Sequence, residues 1–301
     1  MAEYDLLDVD TDNDEYAKST CAEFQDRNFR RHCILAQYLK KSDANYVLAM
    51  DGDMAVVNPH HCIEDYINSN ASLIFYERFH TFEITASSFI VKNDAYGIEF
   101  LMDWARYSRR VPRVSWANSD NGALLSLLLE KRLVSSHERA MCTRLWQHAN
   151  TVDNYMKYIQ CAYIFLGSKR NDLSEQIKIL RRGHGWGRDG WTSDGKWCDH
   201  DFLMHAIKAV DYSSLQKIDS PTLNDGHAVD KFLPFLQPFN LSECKPGRAY
   251  NDTYHMKPEL HVPCDELRTR LKGRLIVPQT VLLPYLDDSD LDCWPSCEKL
   301  K

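Results

Sequence analysis

The sequence predicts an α/β fold, a mixed sheet with flanking helices followed by an irregular C-terminal appendage. Three observations predict it. Apolar runs of strand length, at Val47–Met50, Ala71–Tyr76 and Glu83–Lys92, alternate with stretches of helical periodicity. The first run ends in an acidic pair, Asp51 and Asp53, and in open α/β sheets ligands collect beyond the carboxyl ends of the strands. Beyond residue 220 the pattern stops: nine of the eleven prolines lie there, with Cys244, Cys264, Cys293 and Cys297. The 301 residues therefore divide into a domain over 1–215 and an appendage over 216–301, with enough chain for a sizeable core.

In chain order, Tyr4–Val9 is a short apolar piece that suits a strand, and the acidic loop Asp10–Glu15 lacks the glycine and glutamate spacing of a calcium loop. Cys21–Lys41 is helical, with Phe29, Cys33, Ala36 and Leu39 on an apolar face and Arg30, Arg31, Lys40 and Lys41 around it. Val47–Met50 has no polar alternation, which predicts a strand buried on both faces. Strand alternation then turns Asp51 and Asp53 to one side, and Gly52 lets the backbone turn or approach a ligand. A divalent cation held by this pair bridges naturally to a diphosphate and neutralises charge on a nucleotide leaving group, the chemistry of a sugar-nucleotide-dependent transferase. Haloacid-dehalogenase-type phosphatases use the same shape with the first Asp as nucleophile, but Ala55 stands where they carry Thr or Val.

His60–Ile67 predicts a short helix whose adjacent His60 and His61 make a poor metal pair. Ala71–Tyr76 and Glu83–Lys92 are the next strands, and the small residues Ala86, Ser87 and Ser88 leave room for a ligand or another backbone. Asp94–Arg109 is a helix capped by Asn93 or Asp94, with Ile98, Leu101, Trp104 and Ala105 on one face. Ser119–Ala123 opens an apolar helix reaching Leu133, with Asp120 and Asn121 at its start, where an acid suits the N-terminus. Cys161–Gly167 reads as a strand, and Gln176–Arg182 as a strand or short helix. Trp186, Trp191 and Trp197 lie in a glycine-rich polar segment that ends at His205; aromatic faces stack on sugar rings, so this segment reads as a carbohydrate acceptor surface or, alternatively, as a loop wrapped over the core with its indoles buried. Arg274–Pro284 supplies two short edge strands.

A net charge of -7 argues against nucleic acid or an anionic membrane as partner. Basic residues cluster locally, at Arg27, Arg30 and Arg31 and at Arg181, Arg182 and Arg188, and suit a small anionic ligand, with Arg31 and Arg188 as the candidates for its phosphates. Ten cysteines without paired Cys-x-x-Cys spacing, a possible Cys293–Cys297 loop, and sequons at Asn70, Asn240 and Asn251 favour the secretory pathway. The sequence shows no signal peptide and no apolar run of membrane-spanning length, so the expectation is either a missing targeting segment or a soluble protein inside the cell.

Phe29–Cys33, Asp51–Asp53 with Val57–Pro59, Phe75–Arg78, Asp120–Ala123, and Trp197 through Phe202 to His205 together resemble a nematode family, domain of unknown function 273, over roughly residues 16–215. That family is similar to GT-A-fold nucleotide-diphospho-sugar transferases, in particular retaining galactosyl, mannosyl and xylosyl transferases. The resemblance implies a GT-A-like Rossmann-type sheet, with Tyr4–Val9 as the strand that begins its nucleotide-binding half. The other reading of the short front end is an incomplete base pocket and an inactive chain. The resemblance implies Asp51 and Asp53 as ligands of Mn2+ (or Mg2+) and of the nucleotide diphosphate, and His205 as the late histidine that completes the metal site, with His184 and His200 in reserve. It further implies Asn121 beside the β face of the donor sugar and Asp120 orienting donor hydroxyls; Gly122 stands where those enzymes have a second acid. The expected activity is transfer of a hexose or pentose from a nucleotide sugar, a UDP sugar above all, with retention, to a glycan or glycoprotein in the Golgi lumen or outside the cell. A non-catalytic carbohydrate-binding or scaffold relative is the alternative.

Overall fold

The computed structural model describes residues 4–8, 11, 13, 15–67, 70–113, 119–167, 172–207, 234 and 256–275. Its centre is a mixed five-stranded sheet. Strands β1 (Tyr46–Met50), β3 (Leu73–Tyr76), β4 (Ser88–Lys92), β5 (Asp172–Ser174) and β6 (Ile177–Leu180) lie in the order β1-β4-β3-β6-β5. Only β3 and β6 run parallel; β1 with β4, β4 with β3 and β6 with β5 are antiparallel. Side-chain alternation gives the sheet two apolar faces. Leu73, Phe75, Phe89, Val91, Ile177 and Ile179 face the main core, while Ile74, Tyr76, Ile90 and Leu180 pack with Trp186, Phe202 and Leu203 on the other side.

The main core is closed by helices α2 (Arg27–Leu39), α3 (Ala95–Arg106), α4 (Asp120–Lys131), α5 (Ser136–Gln147) and α6 (Val152–Leu166), preceded by the short α1 (Glu15–Thr20). Their starts are chemically marked. Asp26 accepts from the Asn28 amide at 2.8 Å, Asp94 from the Gly97 amide at 2.8 Å, and Ser135 forms a reciprocal cap with Glu138.

Several expectations change. The β1 run is half-buried rather than buried on both faces, because β1 is the edge strand of the described sheet and its end, Met50, is 40% exposed. Cys161–Gly167 is the last part of α6 and not a strand: Tyr155, Tyr158, Ile159, Ala162 and Leu166 are buried at helical spacing, and Cys161 is bonded to Cys142 of α5. Of Glu83–Lys92 only Ser88–Lys92 is strand; the preceding residues form a buried, irregular segment in which Phe82 adopts a positive φ of 54°. Ile177–Leu180 resolves the ambiguous segment as strand, and His60–Ile67 contains one 3-10 turn, Ile63–Tyr66. Residues 4–8 form no strand, so no first strand of a nucleotide-binding half stands there.

Part of the appendage is tied to the domain. Helix α7 (Cys264–Lys272) is joined through Cys264 to Cys198, and Trp197 exchanges backbone hydrogen bonds with Leu260 and Val262 at 2.8 and 2.9 Å. A third disulfide links Cys21 to Cys33. The Cys293–Cys297 loop, the sequons at Asn240 and Asn251, and the edge strands beyond Leu275 lie outside the described residues. No described helix is long and apolar enough to cross a membrane.

Candidate functional site

The acidic pair sits in a tight turn that closes β1. The Met54 amide donates to the Asp51 carbonyl at 3.1 Å, and the Asp51 amide is anchored on the Ser87 carbonyl at 2.8 Å. The two carboxylates thus converge through a turn rather than through strand alternation. A Cβ on Gly52 would meet nothing within 4 Å, so the turn faces open space. Immediately after it, β2 (Ala55–Val56) pairs antiparallel with β8 (Leu203–His205), which pairs parallel with β7 (Gly187–Asp189). The register sets Ala55 against Met204 and Asp189 against His205, and the Ile207 amide closes onto the Asp53 carbonyl at 2.8 Å. This three-stranded sheet carries a histidine from position 205 back to a turn at position 51.

Asp51, Asp53 and His205 form a cluster in which one donor atom from each lies within 4.8 Å of the others. His205 Nε2 stands 3.3 Å from Asp53 Oδ1 and 3.7 Å from Asp51 Oδ2. Two ligands at right angles, each about 2.1 Å from one ion, are separated by about 3 Å, so this donor set fits a single divalent cation. Two carboxylates and an imidazole suit manganese better than magnesium. Burial alone lowers the pKa of His205, but its hydrogen bonds to Asp189 and Asp53 outweigh that and raise it to about 9. Without a cation the imidazolium is therefore the cluster's internal positive charge.

Behind His205 lies a buried ionic layer that the sequence did not reveal. His205 Nδ1 is 2.7 Å from Asp189 Oδ1, and Asp189, 3% exposed, is approached by Arg78 at 3.3 Å and His80 at 3.5 Å. Burial pushes the Asp189 carboxyl up, yet Arg78 and the two imidazoles hold it well below the usual carboxylate range. Arg78 continues to Glu83 at 3.5 Å, and Glu83 accepts a hydrogen bond from the Tyr155 hydroxyl at 2.6 Å.

A second chain of charge reaches the cluster from α2. Arg31 donates to Asp51 Oδ1, to the Ala86 carbonyl at 2.8 Å and to Asp120 Oδ2 at 2.6 Å. Asp51 thereby divides its oxygens, one toward Arg31 and one toward His205. Asp120 is 3% exposed at the start of α4 and also pairs with His32 Nε2 at 3.0 Å. His32 is fully buried, stacked on Trp104 with centroids 3.8 Å apart, and burial depresses its pKa to about 4. Despite burial, Arg31 and His32 hold the Asp120 carboxyl below its usual range. Asn121 accepts from the Ala86 amide at 2.8 Å. The small residues Ala86 and Ser87 therefore serve as a backbone hub that Arg31, Asn121 and Asp51 all grip.

Of the residues singled out from sequence, Asp51, Asp53, His205, Arg31, Asp120 and Asn121 come together. Arg188 does not join them. Its guanidinium is buried, paired with Asp201 at 2.6 and 2.9 Å, and further bound to Ser193 and the Lys196 carbonyl, which makes it a structural cation rather than a phosphate contact. His184 and His200 are not in the cluster. The three tryptophans also separate: Trp186 is buried with its indole donating to Ser88 at 2.9 Å, Trp197 is half-buried, and only Trp191 is exposed, at 38%. Trp191 stands edge-on to His80 with centroids 4.5 Å apart, which places it next to the Asp189 layer. Arg78 and His32 lay within motifs already singled out, but nothing in their spacing pointed to Asp120 or Asp189.

Residues 2–222 match the family described as Protein of unknown function, DUF273, and the chain belongs to that family. No curated protein and no solved structure matches the chain.

Proposed function

We propose that this member of the DUF273 family is a metal-dependent glycosyltransferase of GT-A-like fold that moves a hexose or pentose from a nucleotide sugar, a UDP sugar above all, to a glycan or glycoprotein with retention. The observation that carries the proposal is the convergence of Asp51, Asp53 and His205 on one point at the open end of an α/β sheet. Asp51, Asp53 and His205 would hold Mn2+, which when bound would supply positive charge for a departing diphosphate. Arg31, on the far side of Asp51, holds a fixed guanidinium in the same region; its Nε and Nη2 are committed to Asp120 and the Ala86 carbonyl, so Nη1, which also donates to Asp51, is the nitrogen that can meet a phosphate oxygen. Asn121 has its Oδ1 committed to the Ala86 amide, so its Nδ2 is the group that donates toward a donor sugar. Asp120 gives Oδ2 to both Arg31 and His32, so a contact with donor hydroxyls of the kind the resemblance implies falls to its Oδ1.

Trp191 supplies the exposed aromatic face for a carbohydrate acceptor. Three disulfides and an exposed sequon at Asn70 support a lumenal or extracellular setting. The phosphatase reading is less well supported, because Asp51 follows an edge strand and shares one carboxylate oxygen with Arg31, which weakens it as a nucleophile.

The test is incubation of the full chain with a panel of UDP and GDP sugars and Mn2+, following nucleotide release and the anomeric configuration of the product by NMR. Metal-dependent release from one donor with a retained α linkage supports the proposal. Absence of release from every donor, together with hydrolysis of simple phosphomonoesters that requires Asp51, overturns it.

A further inference from the structure

We propose that Asp189, braced by Arg78 and His80, is a positioning residue that keeps the proton of His205 on Nδ1 and so turns the Nε2 lone pair toward Asp51 and Asp53. The inference rests on the metal site proposed above and adds the part that makes His205 a ligand.

The geometry leaves one arrangement. An ionised carboxylate only accepts, so Asp189 Oδ1, 2.7 Å from Nδ1, requires the hydrogen on that nitrogen. In the neutral ring the lone pair then lies on Nε2, the nitrogen 3.3 Å from Asp53 and 3.7 Å from Asp51. Backbone register fixes the pair, because Asp189 and His205 are partners in the parallel β7–β8 ladder. The carboxylate is in turn oriented: Arg78 Nη1 lies 3.3 Å from one oxygen and His80 Nδ1 3.5 Å from the other. Gly190, next to Asp189, is part of the same fit, since a Cβ there would stand 2.6 Å from Met204 Sδ of β8. A metal-bound histidine normally donates its second ring nitrogen to such a carboxylate, and removal of that partner typically weakens metal binding by about 10–100-fold.

The experiment uses the full chain and Asp189→Asn. The amide keeps the shape, but it also offers Nδ2 to the ring, which lets the proton move to Nε2 and turns the lone pair away from the cluster. Two readouts are needed. Nitrogen-15 NMR of the metal-free protein above pH 9, where the ring is neutral, with His205 assigned by its loss in His205→Ala, reports the tautomer. Mn2+ titration followed by electron paramagnetic resonance reports affinity and, through the imidazole nitrogen modulation, ligation. The expected result is an Nδ1–H ring in the wild type, an Nε2–H or mixed ring in Asp189→Asn, and Mn2+ binding weakened about 10–100-fold with reduced nitrogen modulation. If the substitution prevents folding, Arg78→Met with Asp189→Asn removes the buried cation along with the anion and is read in the same way.

A folded variant with the wild-type tautomer, or with wild-type Mn2+ affinity and modulation, overturns the inference. A wild type that shows the Asp189-dependent tautomer yet binds no Mn2+ upholds the positioning and defeats the metal reading instead.

Discussion

Asp120→Ala is the most informative single perturbation of the fold around the site. The Asp120 side chain is 4% exposed and accepts from Arg31 at 2.6 Å and His32 at 3.0 Å, so its loss strips a counter-ion from one cation and the acceptor from one buried imidazole. Removing one partner of a buried ion pair costs about 3–5 kcal/mol, mostly because the other is left uncompensated. Arg31 is 27% exposed and keeps Asp51, which argues for the lower end, about 3 kcal/mol. Arg31→Ala leaves the more deeply buried partner, Asp120, without its guanidinium and should cost about as much. The double variant should then lose less than the sum, by about 2 kcal/mol, because the two groups act as a unit. Urea unfolding of the four proteins at one pH gives both numbers, and a domain stable by about 5–15 kcal/mol tolerates the losses. A cost below about 1 kcal/mol for Asp120→Ala, the value of an exposed pair, with additive singles would refute the reasoning.

The two perturbed histidines shape stability against pH in the metal-free protein. The His32 pKa of about 4 lies below its ordinary 6.5, so the unfolded chain takes up a proton first, and stability falls as pH drops from 6.5 to about 4. The His205 pKa of about 9 lies above 6.5, so its contribution is complete below pH 6.5 and is lost as pH rises to about 9. Each is at most about 3 kcal/mol, giving a maximum near the shared unfolded value; urea midpoints that stay level across both windows contradict this. Mn2+ binding between these limits should release close to one proton from His205, measured by calorimetry in buffers of different ionisation enthalpy, and His205→Ala should release almost none. Cys198→Ser with Cys264→Ser opens a link spanning 66 residues and should lower stability by about 4 kcal/mol, read in urea; a loss under about 1 kcal/mol means α7 is held by packing alone.

The parts of the structure visible in sequence were those with strong local periodicity or capping. A cap at Asn93 or Asp94 was legible and Asp94 is the one that caps α3, and the apolar face containing Phe29, Cys33, Ala36 and Leu39 is the buried face of α2. The Asp51–Asp53 pair was legible because paired carboxylates at a strand end carry recognisable chemistry, whereas His205 came from the family resemblance alone; the structure brings the three together. Asp189 was not legible. It becomes important only because two three-residue strands pair in a register that sets it beside His205, and such short strands have no periodicity to detect. Arg188 misled for the converse reason: an arginine in a glycine-rich segment suggests an anion site, yet Asp201 is the anion. Cys161–Gly167 misled because a short apolar run alone does not distinguish a strand from the end of a buried helix.

The central claim is a nucleotide–metal site built on Asp51, Asp53 and His205. Calorimetric or tryptophan-fluorescence titration of the full chain with UDP and GDP, with and without Mn2+, tests it most directly. The account predicts metal-dependent binding of one nucleotide that is lost in Asp51→Asn and in His205→Ala. A well-folded wild-type protein that binds neither nucleotide in Mn2+, or that binds one equally well without the metal and in both variants, would contradict it.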